Sequence, residues 1–213
     1  MAGLEAPFPA RPLYALAFAS STGGPAALVQ ILTNLAALGV GPEQLPPVFI
    51  TQHMPEHFTE LLATQITQAS GFDAREATAG HMVSTGRIYI APGGYHMTVT
   101  GGRKGPVIAL LQSPPVHFCR PAADPMLETL AVAYGKNLLA VILTGMGTDG
   151  RTGCKKIMET GGSVIAQDAA SSVVWGMPGS VVDAGCAHAV VALCDIAAVI
   201  NTRLSAQDPA VTT

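Results

Sequence analysis

Three uninterrupted apolar runs, each closed by glycine, proline or a polar cluster, constrain the fold more than any other feature of this chain. Leu13 to Ala19 (LYALAFA), Pro47 to Gln52 (PVFITQ) and Leu138 to Thr144 (LLAVILT) have strand length and show no polar/apolar alternation. Strands that are apolar on both faces belong in a parallel sheet covered by helices on both sides. The intervening sequence supplies those helices: Pro25 to Ala37, about Glu56 to Gln68, one starting near Ala123, one after Gly150, and Asp195 to Leu204. Ser163 to Gln167 and Ala189 to Ala192 read as further short strands. The stretch from Ile88 to Gln112 differs, because Pro92-Gly93-Gly94 and Gly101-Gly102 punctuate it like a hairpin. The expectation is an α/β, doubly wound, mostly parallel sheet with helices on both faces and a small hairpin insertion. Residues 1–12 read as an N-terminal extension, 13–204 as one domain and 205–213 as a C-terminal tail.

Composition narrows the partners. Lys plus Arg number 11 against 14 Asp plus Glu, and the longest basic clusters are the pairs Arg103-Lys104 and Lys155-Lys156. A groove that neutralises many phosphates needs more, so no nucleic-acid partner is expected. The longest low-charge apolar stretch, 187–200, is broken by His188 and Asp195 and is shorter than a membrane span. The N-terminus lacks the apolar segment of a signal peptide, and the four cysteines form no C-x-x-C pair. They read as reduced thiols of a cytoplasmic protein.

In open parallel sheets ligands bind beyond the carboxyl ends of the strands. The three strong strands end there in Ser20-Ser21-Thr22-Gly23-Gly24-Pro25, in Thr51-Gln52-His53-Met54-Pro55, and in Thr144-Gly145-Met146-Gly147-Thr148-Asp149-Gly150. Each has an ordinary explanation. A serine before a helix is commonly an N-cap. His53-Met54-Pro55-Glu56-His57 matches the zinc-peptidase pattern H-x-x-E-H, but that pattern needs one continuous helix, and Pro55 disfavours it. Gly145-x-Gly147-x-x-Gly150 resembles a dinucleotide fingerprint, yet Asp149 would sit where a pyrophosphate docks. In combination the three ends offer more. Ser21, His53 and Asp149 supply a nucleophile, a base and a carboxylate to orient that base. Backbone N–H groups at Thr22 and around Met146 would form the oxyanion hole, with Gly23 and Gly24 giving substrate access to the helix start. No cofactor and no metal is implied.

The same segments carry a resemblance. ASSTGGP (19–25), ITQHMP (50–55), IYIAPGGYHM (88–97), ILTGMGTDG (142–150), IAQD (165–168) and WGMPG (175–179) resemble the catalytic domain of the CheB chemotaxis protein-glutamate methylesterases, in family order. The resemblance implies a doubly wound α/β sheet, with Ser21 as nucleophile, His53 as base and Asp149 as its orienter. It adds Arg120 and Gln167 as cleft residues. The implied substrate is a γ-glutamyl methyl ester on the cytoplasmic domain of a methyl-accepting chemoreceptor, hydrolysed to glutamate and methanol, with glutamine deamidation as a further activity. The family usually carries a receiver domain ahead of this one, so a receiver-domain partner in trans is a further implication. Departures are Ala19 where many relatives have glycine, Cys119 where histidine is frequent, and Gly179 in place of an arginine. Two other readings remain open on sequence: a non-catalytic receptor-docking module of the same fold, and a nucleotide-binding enzyme.

Overall fold

The computed structural model describes residues 11–102 and 105–205. The pair Arg103-Lys104, most of the N-terminal extension and nearly all of the C-terminal tail lie outside the described residues. The elements follow in the order β1 (Ala15–Ser20), α1 (Gly24–Ala37), β2 (Val48–Gln52), α2 (Phe58–Ser70), β3 (Asp73–Glu76), β4 (Arg87–Ile90), β5 (His96–Gly102), β6 (Gly105–Leu111), α3 (Ala123–Tyr134), β7 (Leu138–Ile142), α4 (Arg151–Glu159), β8 (Ser163–Gln167), α5 (Met177–Asp183), β9 (Ala189–Val191) and α6 (Leu193–Ser205).

Seven strands form one sheet in the order β3-β4-β2-β1-β7-β8-β9, and every pairing in it is parallel. The expected doubly wound sheet is therefore present, and β5 and β6 form the separate antiparallel hairpin. Strand order reverses at β1, which lies between β2 and β7. That is the switch point at which open α/β sheets leave a crevice.

The two sheet faces bury different residues. Leu16 and Phe18 of β1 join Val48, Ile50 and the apolar sides of α1, α2 and α6. On the other face, Ala15, Ala17 and Ala19 meet α3, α4 and α5. Three alanines in a row on one face leave room for α3 to approach β1 closely. Ala19, the departure noted above, is fully buried there. Helix α1 presents Ala27, Leu28, Ile31, Leu32 and Leu35 to the core, the i, i+3, i+4 spacing of a single buried face.

The hairpin expectation needs one correction. Arg87–Ile90 belongs to the main sheet, parallel to both β2 and β3, because Ile88 and Ile90 on one side and Tyr89 on the other are all buried. Pro92-Gly93-Gly94 is not a hairpin turn. It carries the chain past the start of α2, where a Cβ on Gly93 would lie 2.3 Å from the Glu56 nitrogen. Helix α2 begins only at Phe58, after His57 turns left-handed (φ 70).

Helices α3 and α4 touch through Gly153, where an added Cβ would stand 2.5 Å from Leu127 Cβ and 3.3 Å from the Asp124 carbonyl oxygen. Gly153→Ala gains helix propensity of about 1 kcal/mol. We nevertheless expect a net loss on the order of 1–3 kcal/mol from overpacking, read from the midpoint of chemical denaturation. A stabilised variant would show that the α3–α4 contact yields without strain.

Candidate active site

Strand register alone brings the serine and histidine segments together. Ser20 pairs with Gln52 across β1 and β2, so Ser21 and His53 leave adjacent strands side by side. Gln52 fixes both exits. Its side chain is 2 % exposed, and Nε2 donates to the carbonyls of Ser21 (2.9 Å) and His53 (3.0 Å). Its Oε1 accepts from Ser20 Oγ at 2.6 Å. That bond and full burial remove Ser20 as a rival nucleophile. Sequence reasoning missed Gln52; the visible signal was a long polar side chain closing an otherwise apolar strand.

Asp149 completes the set from the far side of β1. His53 Nε2 and Asp149 Oδ2 are 2.6 Å apart. The carboxylate also accepts the N–H groups of Ala123 (2.5 Å), Asp124 (3.0 Å) and Gly150 (3.0 Å). Ala123 and Asp124 open α3, so Asp149 lies at the positive end of that helix dipole. The expectation of a helix immediately after Asp149 is met by α4, but Gly150 in left-handed conformation is its N-cap. The helix that Asp149 serves is α3. Burial would raise the carboxyl pKa, but the His53 hydrogen bond, the two α3 amides and the histidine charge outweigh it, leaving the group below its ordinary value. An ionised Asp149 requires Nε2 to carry the proton, so Nδ1 is the nitrogen available to a nucleophile. This reverses the nitrogen usage of the trypsin-type triad. Among the described residues, no hydrogen bond joins Ser21 Oγ to His53; catalytic contacts of this type often tighten only around substrate.

The glycines have other duties than expected. Gly23 and Gly24 do not hold space for substrate. A Cβ on Gly24 would collide with Gln52 Oε1 at 2.0 Å and Ser20 Oγ at 2.6 Å, and one on Gly23 (φ +83) would lie 2.7 Å from Val173. A Cβ on Gly145 would stand 2.7 Å from Ser21 Cβ. Met146, 74 % exposed, follows it directly. Among the described residues, the N–H groups of Thr22 and Met146 donate to no protein acceptor, as an oxyanion site requires.

The two expected cleft residues both bond within the protein, to different extents. Gln167 is fully buried: Oε1 accepts from the Thr144 amide (2.8 Å) and Nε2 donates to Ser171 (2.8 Å). It ties the β7 exit to the loop after β8 and leaves no group for a ligand. Arg120, half-buried, donates from Nη1 to the carbonyls of Ser113 (3.0 Å) and Gln112 (3.4 Å). The Cys119 thiol is pushed up by burial and by the Asp149 charge, the opposite of activation. Trp175 donates its indole N–H to the Gln167 carbonyl at 3.0 Å, and its ring packs on Gly179, where an arginine side chain would meet it.

The residues that could hold a metal are not the H-x-x-E-H pair. His53 ends a strand, and His57 is exposed at a helix start. His117, Asp124 and Asp149 do present ligand atoms within 4.8 Å of one another. Asp149 already accepts four hydrogen bonds, and Asp124 accepts from Gly153 N–H (2.8 Å) and His117 Nε2 (3.0 Å). Those donors fill the acceptor positions of Asp149 and about half of those on Asp124.

Residues 16–200 match the model of the CheB methylesterase family. The chain belongs to that family. A CheB relative in Paramagnetospirillum magneticum, named protein-glutamate methylesterase/protein-glutamine glutaminase 1, is 52% identical over 182 residues, covering 85% of this chain and 47% of that protein. In Caulobacter vibrioides a relative named protein-glutamate methylesterase/protein-glutamine glutaminase 2 is 48% identical over 196 residues, 92% of this chain and 55% of that one. The chain thus spans about half the length of these CheB proteins. The crystal structure of the Thermotoga maritima CheB methylesterase catalytic domain superposes with a TM-score of 0.83 at 35% identity, over 92% of this chain and 99% of that one.

Two substitutions probe the geometry. Asp149→Asn sets an amide NH₂ among donors, so at least one α3 amide or His53 loses its acceptor; we expect about 1–3 kcal/mol of lost stability. Because the folded-state pKa is lowered, the stability that Asp149 contributes is present above its unfolded pKa of about 3.9. It is lost as pH falls through the folded value. Acid titration of the unfolding free energy should therefore be shallower below about pH 4 in the variant; an unchanged slope would contradict the assignment. Gln52→Leu strands two carbonyls and the Ser20 hydroxyl, and should destabilise by about 2–4 kcal/mol, measured by thermal denaturation.

Proposed function

We propose that residues 13–204 form a catalytic unit, a serine-type carboxylic ester hydrolase acting on γ-glutamyl methyl esters of the cytoplasmic domain of a methyl-accepting chemoreceptor. The observation that carries this reading is the His53–Asp149 pair at 2.6 Å, next to Ser21 through the Ser20–Gln52 register. Ser21 Oγ attacks the ester carbonyl while His53 Nδ1 takes its proton. The tetrahedral oxyanion is received by the Thr22 and Met146 N–H groups. Collapse breaks the bond to the methoxy oxygen, which leaves as methanol with the proton from His53. A water then attacks the acyl-enzyme by the same route, releasing glutamate and restoring Ser21. With a glutamine side chain the leaving group is ammonia, which gives the deamidase activity named for the relatives.

No helix among the described residues is long and apolar enough to cross a membrane, and the chemoreceptor domain named as substrate is cytoplasmic, so we place the enzyme there. A receiver domain, acting in trans or in a longer chain, is the proposed regulatory partner.

Ser21→Ala should abolish methanol release from a methylated chemoreceptor and labelling by a fluorophosphonate, while the melting temperature stays within a few degrees. Ser20→Ala should keep labelling, since Ser20 Oγ only donates to Gln52. Labelling that survives Ser21→Ala would misassign the nucleophile. A parent chain inert toward both probe and ester would favour the non-catalytic docking module.

A further inference from the structure

Beyond the strand ends, the turn at 116–119 stands out. Val116 and Cys119 exchange both backbone hydrogen bonds, at 3.1 and 2.9 Å. The two residues between them, His117 (φ 50) and Phe118 (φ 63), are both left-handed. This is the conformation of a type I′ hairpin turn, which ordinarily takes Asn-Gly. An aromatic residue there is a genuine outlier. Its ring gains nothing from the fold, because Phe118 is wholly in solvent at 103 % relative exposure.

The turn is nevertheless held firmly. His117 Nε2 donates to Asp124 Oδ2 at 3.0 Å. Below it, the fully buried His96 takes the Ala122 N–H on Nδ1 (3.1 Å) and donates from Nε2 to the Pro114 carbonyl (3.2 Å). Arg120 grips the carbonyls of Gln112 and Ser113. The turn also adjoins the proposed active site: the Asp124 N–H donates to Asp149, and the Asp149 charge reaches the Cys119 thiol. A strained backbone that persists because its surroundings fix it, beside a reactive centre, is where function is to be sought.

Phe118 has company. Met146, Val173 and Trp175 are also large, apolar and exposed. Met146 follows Gly145, which packs on Ser21; Val173 touches Gly23; and Trp175 bridges to Gly145. These three stand on segments next to Ser21, where exposed apolar groups mark a contact surface, and the Phe118 turn joins the same site through Asp124 and Asp149. A methyl ester seated at Ser21 has no means of reaching a ring that lies fully in water on a neighbouring turn. Only a substrate extending well beyond the ester can cover it.

Resting on the esterase reading above, we propose that Phe118 is a specificity-determining residue that binds an apolar side chain flanking the esterified glutamate on the protein substrate. The left-handed 117–118 turn serves to hold the ring out for that contact, so folding and function make opposite demands at this position.

Phe118→Gly separates them, because glycine adopts this backbone freely. Its melting temperature should equal or exceed the parent's. Its KM for a chemoreceptor cytoplasmic fragment carrying radiolabelled γ-glutamyl methyl esters should rise about five-fold or more, a loss typical of an interface anchor, with kcat little changed. Hydrolysis of p-nitrophenyl acetate, which ends at the strand edge, should stay within about two-fold of the parent by the same scale. Phe118→Tyr, which keeps the ring, should restore the parent KM. An unchanged KM in Phe118→Gly, a matching loss on the small ester, or a lowered melting temperature would each overturn the proposal. A parent chain that hydrolyses neither ester would instead sink the esterase reading and this inference with it.

Discussion

The carboxylate of Asp149 is the joint on which the crevice depends. Removing a charged group from water is expensive unless donors replace the water, and here four do. Two are the first amides of α3, one belongs to Gly150, and one is His53. A single group therefore caps a helix, closes the loop after β7 and orients the histidine. The His53 hydrogen bond and the α3 amides together keep the carboxyl ionised, and only an ionised carboxylate fixes the histidine tautomer. Capping and base orientation are thus one interaction, and the docking of α3 on β1 is a precondition of the chemistry proposed for Ser21.

The supporting polar side chains follow the same logic. Gln52 and Gln167 are both buried carboxamides at strand ends, where the parallel ladder stops and backbone groups lose their sheet partners. Each offers an acceptor and a pair of donors, enough to hold two exits at once. Gln52 couples β1 to β2, and Gln167 couples β7 to the loop after β8. The glycines of the first motif then find their explanation in packing. Gly24 is bare because Gln52 Oε1 occupies the space a Cβ would take. What looks in sequence like an opening for substrate is the clearance for a positioning amide.

Much of this was legible in the sequence, and the reasons it stopped are physical. Strands buried on both faces announce themselves, so β1, β2, β7 and β8 were found to within one or two residues. Strand β3 (DARE) was not, because an edge strand is half exposed and carries charge. Helix α5 is seven residues with proline and glycine inside it, too short for a periodicity to register. At the site, residue types at strand ends picked out Ser21, His53 and Asp149 as candidates, and the sheet places all such ends on one edge. The partner of Asp149 on α3 lies 26 residues earlier in the chain, and nothing local records that contact. The same holds for Gln167: a motif position can be kept for its hydrogen bonds to other loops as readily as for substrate.

A second carboxylate explains why the entrance to α3 is built as it is. Asp124 and Asp149 offer oxygens within 4.8 Å of each other, where two unit charges repel by roughly 3 kcal/mol at an effective dielectric near 20. Both are buried, so water does little to relieve this. The fold answers with donors on every side. Gly153 N–H reaches Asp124 from α4, which the absence of a Cβ on Gly153 permits, and His117 reaches it from the left-handed turn. His117 needs that backbone geometry to bring Nε2 down onto the carboxylate, and histidine is among the side chains that tolerate it better than most. The charge balance at α3 accounts in this way for His117 at the turn. It gives no account of Phe118, the next residue, whose ring touches none of these groups.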